Sequence, residues 1–151
     1  MSRKKHKVDF YWDEERGMCR CTLTDNGVKY NGFAFCHPTD MDMKSQKTGE
    51  EIAYNRALIS ALKAKKKELK LELRGLLGYY YAIQHNPQFN PKSYEAKMLY
   101  RQIRMRQDDI ESVDEGIGGL ELYIKSYIKE KDKFYESIRQ MRQKNEQIKN
   151  D

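Results

Sequence analysis

The sequence predicts an α+β protein, in which a small antiparallel sheet of three to four strands precedes a long antiparallel helical hairpin of coiled-coil type. Three short segments near the N-terminus alternate apolar and polar residues and are separated by turn residues, which is typical of strands. Further along, apolar residues recur every 3.5 positions between Leu99 and Ile148 on an otherwise charged stretch. That period is the pattern of a helix that packs against another helix.

Composition limits the classes of partner. The 151 residues include 34% charged and 38% hydrophobic residues, which suits a small core and long solvated helix faces. The net charge of +6 favours an anionic partner such as nucleic acid, a nucleotide or an acidic protein surface, although helical proteins without such a partner often carry the same excess. Three cysteines, with no signal peptide and no apolar run of 18 residues, predict a reduced cytosolic setting without a membrane segment.

Three strands are predicted at residues 7–13, 18–24 and 28–36, and they form an antiparallel meander. Asp25, Asn26 and Gly27 make a strong hairpin turn, because Asn and Gly tolerate positive φ angles. Gly32 interrupts the third strand and predicts either a bulge or a close approach of another backbone.

The first helix is predicted to begin at a capping box formed by Thr48 and Glu51, and to end at or before Asn86 because Pro87 follows. Asn55 and Lys66 interrupt its apolar stripe. The stripe itself consists of Ile52, Ile59, Leu62, Leu69, Leu73, Leu76, Tyr80 and Ile83.

The second helix is predicted to begin at Asn90 as N-cap, with Pro91 in the first helical position. The glycines between Gly116 and Gly119 weaken it, and we expect a break or a kink there. This helix is much longer than the first, so part of its apolar stripe lacks a partner within the chain and predicts self-association. We therefore expect a β-β-β-α domain at residues 1–64 and a helical oligomerisation region at 65–151, which share the first helix.

Two kinds of chemistry are not favoured. Cys19, Cys21, Cys36 and His37 resemble a zinc site, but the Cys-x-x-Cys spacing that usually wraps zinc is missing, and buried cysteine commonly acts as a small hydrophobe. The sequence has no Gly-rich phosphate loop and no nucleophile with a histidine and a third orienting group. We expect a protein that is not an enzyme and that has no cofactor and no metal.

The corner between the helices carries the candidate binding residues. A helix start attracts anions, arginine binds phosphate through two parallel hydrogen bonds, and an aromatic face stacks on a base. The same residue types also form the solvated exterior of a coiled coil, which is the alternative interpretation. The candidates are Tyr81, Phe89, Asn90, Lys92, Arg101 and Arg104.

Two resemblances add to these expectations. The order of three strands and a helix, with Asn31-Gly32-Phe33-Ala34 followed by Arg56-Ala57-Leu58, resembles the fold of double-stranded-RNA-binding domains over residues 7–64. Those domains place a Lys-rich motif at the start of this helix to hold phosphates. Here that position is Gly49-Glu50-Glu51, which is acidic, so the resemblance implies the fold and not RNA binding.

The whole chain is also similar to small phage and prophage proteins, through Cys36-His37-Pro38, residues 90–95 (NPKSYE) and residues 98–104 (MLYRQIR). In particular it resembles the Thoeris anti-defence sponges. Those proteins assemble as oligomers and sequester cyclic ADP-ribose-type signals in pockets of Arg, Asn and aromatic side chains. The resemblance implies a homo-oligomer that binds a cyclic nucleotide through Phe89, Asn90, Arg101 and Arg104, with Arg56 at a second site that depends on the oligomer.

We therefore expect a phage-encoded anti-defence protein that acts in the cytoplasm of the infected bacterial cell. Two alternatives stay open. The first is an anti-CRISPR inhibitor that binds a CRISPR nuclease, a host defence protein, by protein–protein contact. The second is a nucleic-acid-binding phage accessory protein that uses helix faces and the basic N-terminal arm at residues 1–7, with Arg3, Lys4, Lys5 and Lys7.

Overall fold

A computed structural model describes residues 6–150 and confirms the α+β class, with a three-stranded antiparallel sheet followed by two helices. Of the charged residues of the predicted N-terminal arm, Arg3, Lys4 and Lys5 lie outside the described residues, and Lys7 belongs to the first strand. The elements are β1 (His6–Asp13), β2 (Met18–Asp25), β3 (Val28–Phe35), a short 3₁₀ helix (Pro38–Met43), α1 (Gln46–Gln84) and α2 (Tyr94–Asn150).

The sheet is a simple meander in the order β1-β2-β3, and each predicted strand agrees with the observed one to within one residue at either end. Asn26 and Gly27 turn the second hairpin with φ angles of 52° and 81°, as the turn chemistry predicts. Cα partners run without interruption along β2 and β3, where Cys21 faces Gly32. Gly32 is therefore not at a bulge.

Gly32 is instead the point where α1 approaches the sheet. A Cβ atom at this position would overlap backbone atoms of Ala53 and Ala57 in α1. Only glycine permits this close approach. The close-approach alternative for Gly32 is the correct one.

Small side chains fill the space between α1 and the sheet. The core cluster consists of Cys19, Cys21, Ala34, Ala53 and Ala57, each at most 4% exposed. Burial, followed by the neighbouring Cys19, raises the pKa of Cys21 to about 11. Both thiols are therefore protonated at neutral pH and pack as small apolar groups.

Both helices begin at a serine that the sequence interpretation missed. The Ser45 hydroxyl accepts a hydrogen bond from the Thr48 amide at 3.3 Å, so α1 starts three residues before the predicted capping box. The Ser93 hydroxyl accepts from the Ala96 amide at 3.2 Å, so α2 starts at Tyr94 rather than next to Asn90. The predicted end of the first helix is confirmed, since α1 stops at Gln84.

Of the two alternatives predicted for the glycine-rich stretch of the second helix, the break is wrong, because α2 runs unbroken from Tyr94 to Asn150. The kink stays a prediction. Gly116 and Gly118 do cost helix propensity, about 1 kcal/mol each relative to alanine. Next to them, however, Ile117 is only 9% exposed. Burial of an apolar stripe usually outweighs propensity in such a helix.

Contacts divide the chain into two compact units. Unit 1 comprises the residues up to Ser60 together with those from Gly119 onward, and unit 2 comprises Ala61–Gly118. These units are defined by proximity and not by independent folding, so the domain boundary at residue 64 stays a prediction.

In unit 2, α1 and α2 run antiparallel, and charged residues of their apolar stripes find partners. Lys66 pairs with Asp114 at 2.5 Å, and Arg106 pairs with Glu72 at 2.7 Å. Each pair gives a partly buried cation an opposite charge, and burial of an unpaired cation would be costly. The apolar part of this unit's core is formed by Leu69, Ala96, Leu99, Ile103 and Ile117.

In unit 1, the apolar stripe of α2 is covered only over part of its length. Ile124 is 8% exposed, whereas Phe134, Met141 and Ile148 are 56%, 64% and 73% exposed. Every residue from 140 to 150 is exposed. No helix within residues 6–150 is long and apolar enough to cross a membrane.

Candidate functional site

The candidate residues at the corner between the helices are mostly engaged with their own turn. The Asn90 side-chain oxygen accepts from the Lys92 amide at 3.0 Å, and Phe89 meets Tyr80 edge to face at 6.1 Å between ring centroids. Tyr81 lies 4.2 Å from the His85 ring and is 65% exposed. None of these residues lines either of the two cavities described below.

Arg101 lies in an open groove of unit 2, of about 660 Å³, between α1 and α2. Met98, Met105 and Leu76 form its apolar walls, and Arg106 is occupied by Glu72. Arg104, three residues further along α2, does not line this groove. The structure therefore does not bring the two predicted phosphate-binding arginines to one concave site.

Arg56 lines the more enclosed cavity, a pocket of about 480 Å³ in unit 1. This volume lies within the usual range of small-molecule sites, roughly 300 to 1,000 Å³. The pocket is bounded by strand ends, by the first turns of α1 and by α2 between Ile128 and Arg139. Its apolar walls are Trp12, Ile52, Ile128 and Tyr135.

The Arg56 guanidinium is held in place by the sheet. One Nη donates to the Phe33 carbonyl at 2.7 Å, at the open edge of β3. A guanidinium has five N–H donors, so this bond orients the group and leaves further donors for a ligand. Lys131 adds a second cation to the pocket lining, and its ammonium lies 5.4 Å from the centre of the Tyr127 ring.

The indole of Trp12 is also held in position. Its Nε1 donates to Glu14 at 2.5 Å, and this hydrogen bond is the main cause of the lowered pKa of that carboxyl. Glu14 is therefore ionised at neutral pH, and a charged acceptor strengthens the bond that orients the ring. The pocket thus has an aromatic wall of defined orientation.

Three polar contacts hold α2 beside the other elements of unit 1. Tyr123 donates to Glu51 at 2.7 Å, Arg139 pairs with the buried Asp40, and Arg142 pairs with Asp42 at 2.7 Å. Arg139 also contacts Glu136 at 3.2 Å. Because Asp40 and Arg139 both line the pocket, this pair fixes one side of it.

The lining carries charges of both signs in equal number. Three are the cations Arg56, Lys131 and Arg139, and three are the anions Asp40, Asp132 and Glu136. Such a lining can donate to phosphate oxygens and accept from sugar hydroxyls at the same time. It is suited to a ligand that combines phosphate, sugar and an aromatic ring.

Arg56 is the one residue of this pocket that was predicted from the sequence as a ligand-binding residue. One signal was present, because Lys131 is a charged residue at a position of the apolar stripe of α2. Trp12 also stands out as the chain's one tryptophan. Nothing in the spacing of β1, α1 and α2 shows that they meet at one pocket.

The residues described contain no group of three or more His, Cys, Asp or Glu side chains that could hold a metal ion. Comparison with protein-family models, with curated proteins and with solved structures finds no match to this chain. The resemblance to Thoeris anti-defence proteins therefore stays a prediction from sequence.

We predict that Arg139→Ala lowers the free energy of unfolding by about 2 kcal/mol, because it leaves the buried carboxylate of Asp40 without its cation. Arg142→Ala is the matched control. Both side chains of its pair are 57% exposed, and exposed pairs contribute less than about 1 kcal/mol. Equilibrium urea unfolding measures both variants, and equal losses would show that the Asp40–Arg139 pair has no special role.

Proposed function

We propose that this protein is a non-enzymatic phage anti-defence protein that sequesters a cyclic nucleotide signal of the cyclic ADP-ribose type in the cytoplasm of the infected cell. The observation that carries the proposal is the pocket of unit 1, where an oriented arginine, a lysine and an oriented aromatic ring line one concave site. Of the seven residues predicted from sequence, Arg56 is the one in this pocket.

The chemistry of such a ligand matches the lining group by group. Arg56 and Lys131 bind the phosphate oxygens, and Trp12 or Tyr135 stacks on the base. Asp132 and Glu136 accept hydrogen bonds from ribose hydroxyls. Capture without turnover requires only these contacts, and no step in it needs a nucleophile or a metal.

The groove of unit 2 is the alternative site on the same protein. Arg101 offers a cation there, and thioether and leucine walls accommodate a base. We favour the unit 1 pocket because it is more enclosed, and ligand sites usually bury most of the ligand surface.

Ligand binding is tested by isothermal titration calorimetry with cyclic ADP-ribose and its isomers. We expect Arg56→Ala and Lys131→Ala to weaken binding about 10- to 100-fold each, since a hydrogen bond to a charged group contributes roughly 1.5–3 kcal/mol. Arg74→Ala is the control, because it removes an exposed arginine of α1 that lines neither cavity.

The double variant Arg101→Ala/Arg104→Ala separates the two sites. Retained binding in that variant, with loss in Arg56→Ala, supports the pocket. The opposite pattern assigns the ligand to the unit 2 groove, and no binding by the unaltered protein contradicts the proposed function.

We also propose that the protein is a homo-oligomer. Phe134, Met141 and Ile148 follow one another at seven-residue steps on α2, and all three are more than half exposed. Steps of seven place side chains on one face of a supercoiled helix, so a second copy of α2 can bury them together. An exposed apolar row of this kind marks an interaction surface.

We predict that Phe134→Asp/Met141→Asp lowers the mass measured by light scattering, because two carboxylates cannot be buried in a helix contact without partners. Leu122→Asp is the control, since Leu122 is 67% exposed but off this row. An unchanged mass in the double variant, or an equal change in the control, would contradict the contact.

A further inference from the structure

The sheet has a second face that the ligand pocket does not explain. Residues of the three strands alternate between the side that packs on α1 and the opposite side, which we call the outer sheet face. Tyr11, Arg20 and Phe33 stand directly across from one another on this face, and Met18 and Phe35 form the next row. Tyr11, Phe33 and Phe35 are 51%, 42% and 70% exposed.

The rings on this face are arranged as stacking surfaces. Phe33 and Phe35 lie nearly parallel, with an interplanar angle of 14° and 6.5 Å between centroids. The Arg20 guanidinium lies over the Tyr11 ring, 5.4 Å from its centre, so a planar cation covers part of this ring and presents a stacking face of its own. Bases of a single strand stack on platforms of this kind.

The remaining residues of the outer sheet face distinguish nucleic acid from a protein partner. By strand alternation the face carries no Val, Ile or Leu, and Met18 is its one apolar residue that is not aromatic. A protein-binding face of this size usually has an apolar centre depleted of charge. Here Arg20 and Lys29 lie on the face, and its two carboxylates are each paired with a cation, Asp9 with Lys7 and Asp13 with Arg16.

We propose that the outer sheet face binds single-stranded nucleic acid, with bases stacked on Tyr11, Phe33 and Phe35 and the backbone near Arg20 and Lys29. Phe35 also lines the nucleotide pocket of unit 1, whereas Tyr11, Phe33 and Arg20 do not, so the two sites meet at Phe35 and the test uses Tyr11 and Phe33. Recognition by stacking does not depend on base sequence, because every base has an aromatic face.

The test is fluorescence anisotropy with labelled oligothymidylate and oligouridylate of about twelve nucleotides, a length within the range that small single-strand-binding folds cover. A duplex of the same length is measured alongside at the same salt concentration. We expect binding of the single strands and at least tenfold weaker binding of the duplex. The ratio between the DNA and RNA strands distinguishes the two sources of ligand.

Phe33→Leu and Tyr11→Leu remove the ring but keep an apolar side chain, so they preserve folding, and each is expected to weaken binding about 5- to 100-fold. Tyr94→Leu is the matched control, because it removes a ring that is 78% exposed on α2. Equal affinity for duplex and single strand, no binding at all, or equal losses in the control would overturn the proposal.

One further outcome assigns the face to a different occupant. If Phe33→Leu lowers the mass measured by light scattering and the unaltered protein binds no oligonucleotide, the outer sheet face is a contact between copies of this chain. That result overturns the nucleic-acid proposal but not the proposed function, because calorimetry with cyclic ADP-ribose measures binding in the unit 1 pocket, which Tyr11 and Phe33 do not line.

Discussion

The approach of α1 to the sheet at Gly32 is the constraint on which unit 1 depends. Backbone atoms of Ala53 and Ala57 occupy the space that a Cβ at residue 32 would need. At that separation only small side chains fit between helix and sheet, and the layer there consists of Cys and Ala residues that are almost fully buried. Such small residues bury little apolar area each, so the contact between α1 and the sheet is stabilised mainly by close van der Waals packing.

This thin layer explains where the large aromatic residues lie. Trp12 stands at the margin of the layer and lines the pocket, while Tyr11 and Phe33 lie on the other side of the sheet. Phe35, at the end of β3, shares their side by strand alternation and also lines the pocket. The same close approach places the Arg56 guanidinium at the open edge of β3, where it bonds to the Phe33 carbonyl. Arg56 therefore has two roles, because it donates to a carbonyl of the edge strand and also lines the pocket with its charge. The packing of the core and the proposed site are linked through this residue.

Local patterns in the sequence predicted the sheet well, because strand alternation and the Asn26-Gly27 turn are set by near neighbours. The predicted starts of both helices were wrong. Ser45 and Ser93 are the N-caps, whereas the sequence patterns favoured Thr48 and Asn90. Asn90, predicted as the N-cap of the second helix, instead accepts a hydrogen bond from the Lys92 amide within the turn before that helix. The pocket could not be predicted, because Lys131 and Tyr135 reach it through a long-range packing of α2 that has no local signature.

The most direct test of this account is the stability of Gly32→Ala, measured by equilibrium urea unfolding beside Gly118→Ala. A methyl group at residue 32 forces α1 away from the sheet, and we predict a loss of about 3 kcal/mol in unfolding free energy. Gly118 has open space around it within α2, so alanine there gains up to about 1 kcal/mol of helix propensity. A Gly32→Ala variant as stable as the unaltered protein would contradict the close approach and the small-residue layer built on it.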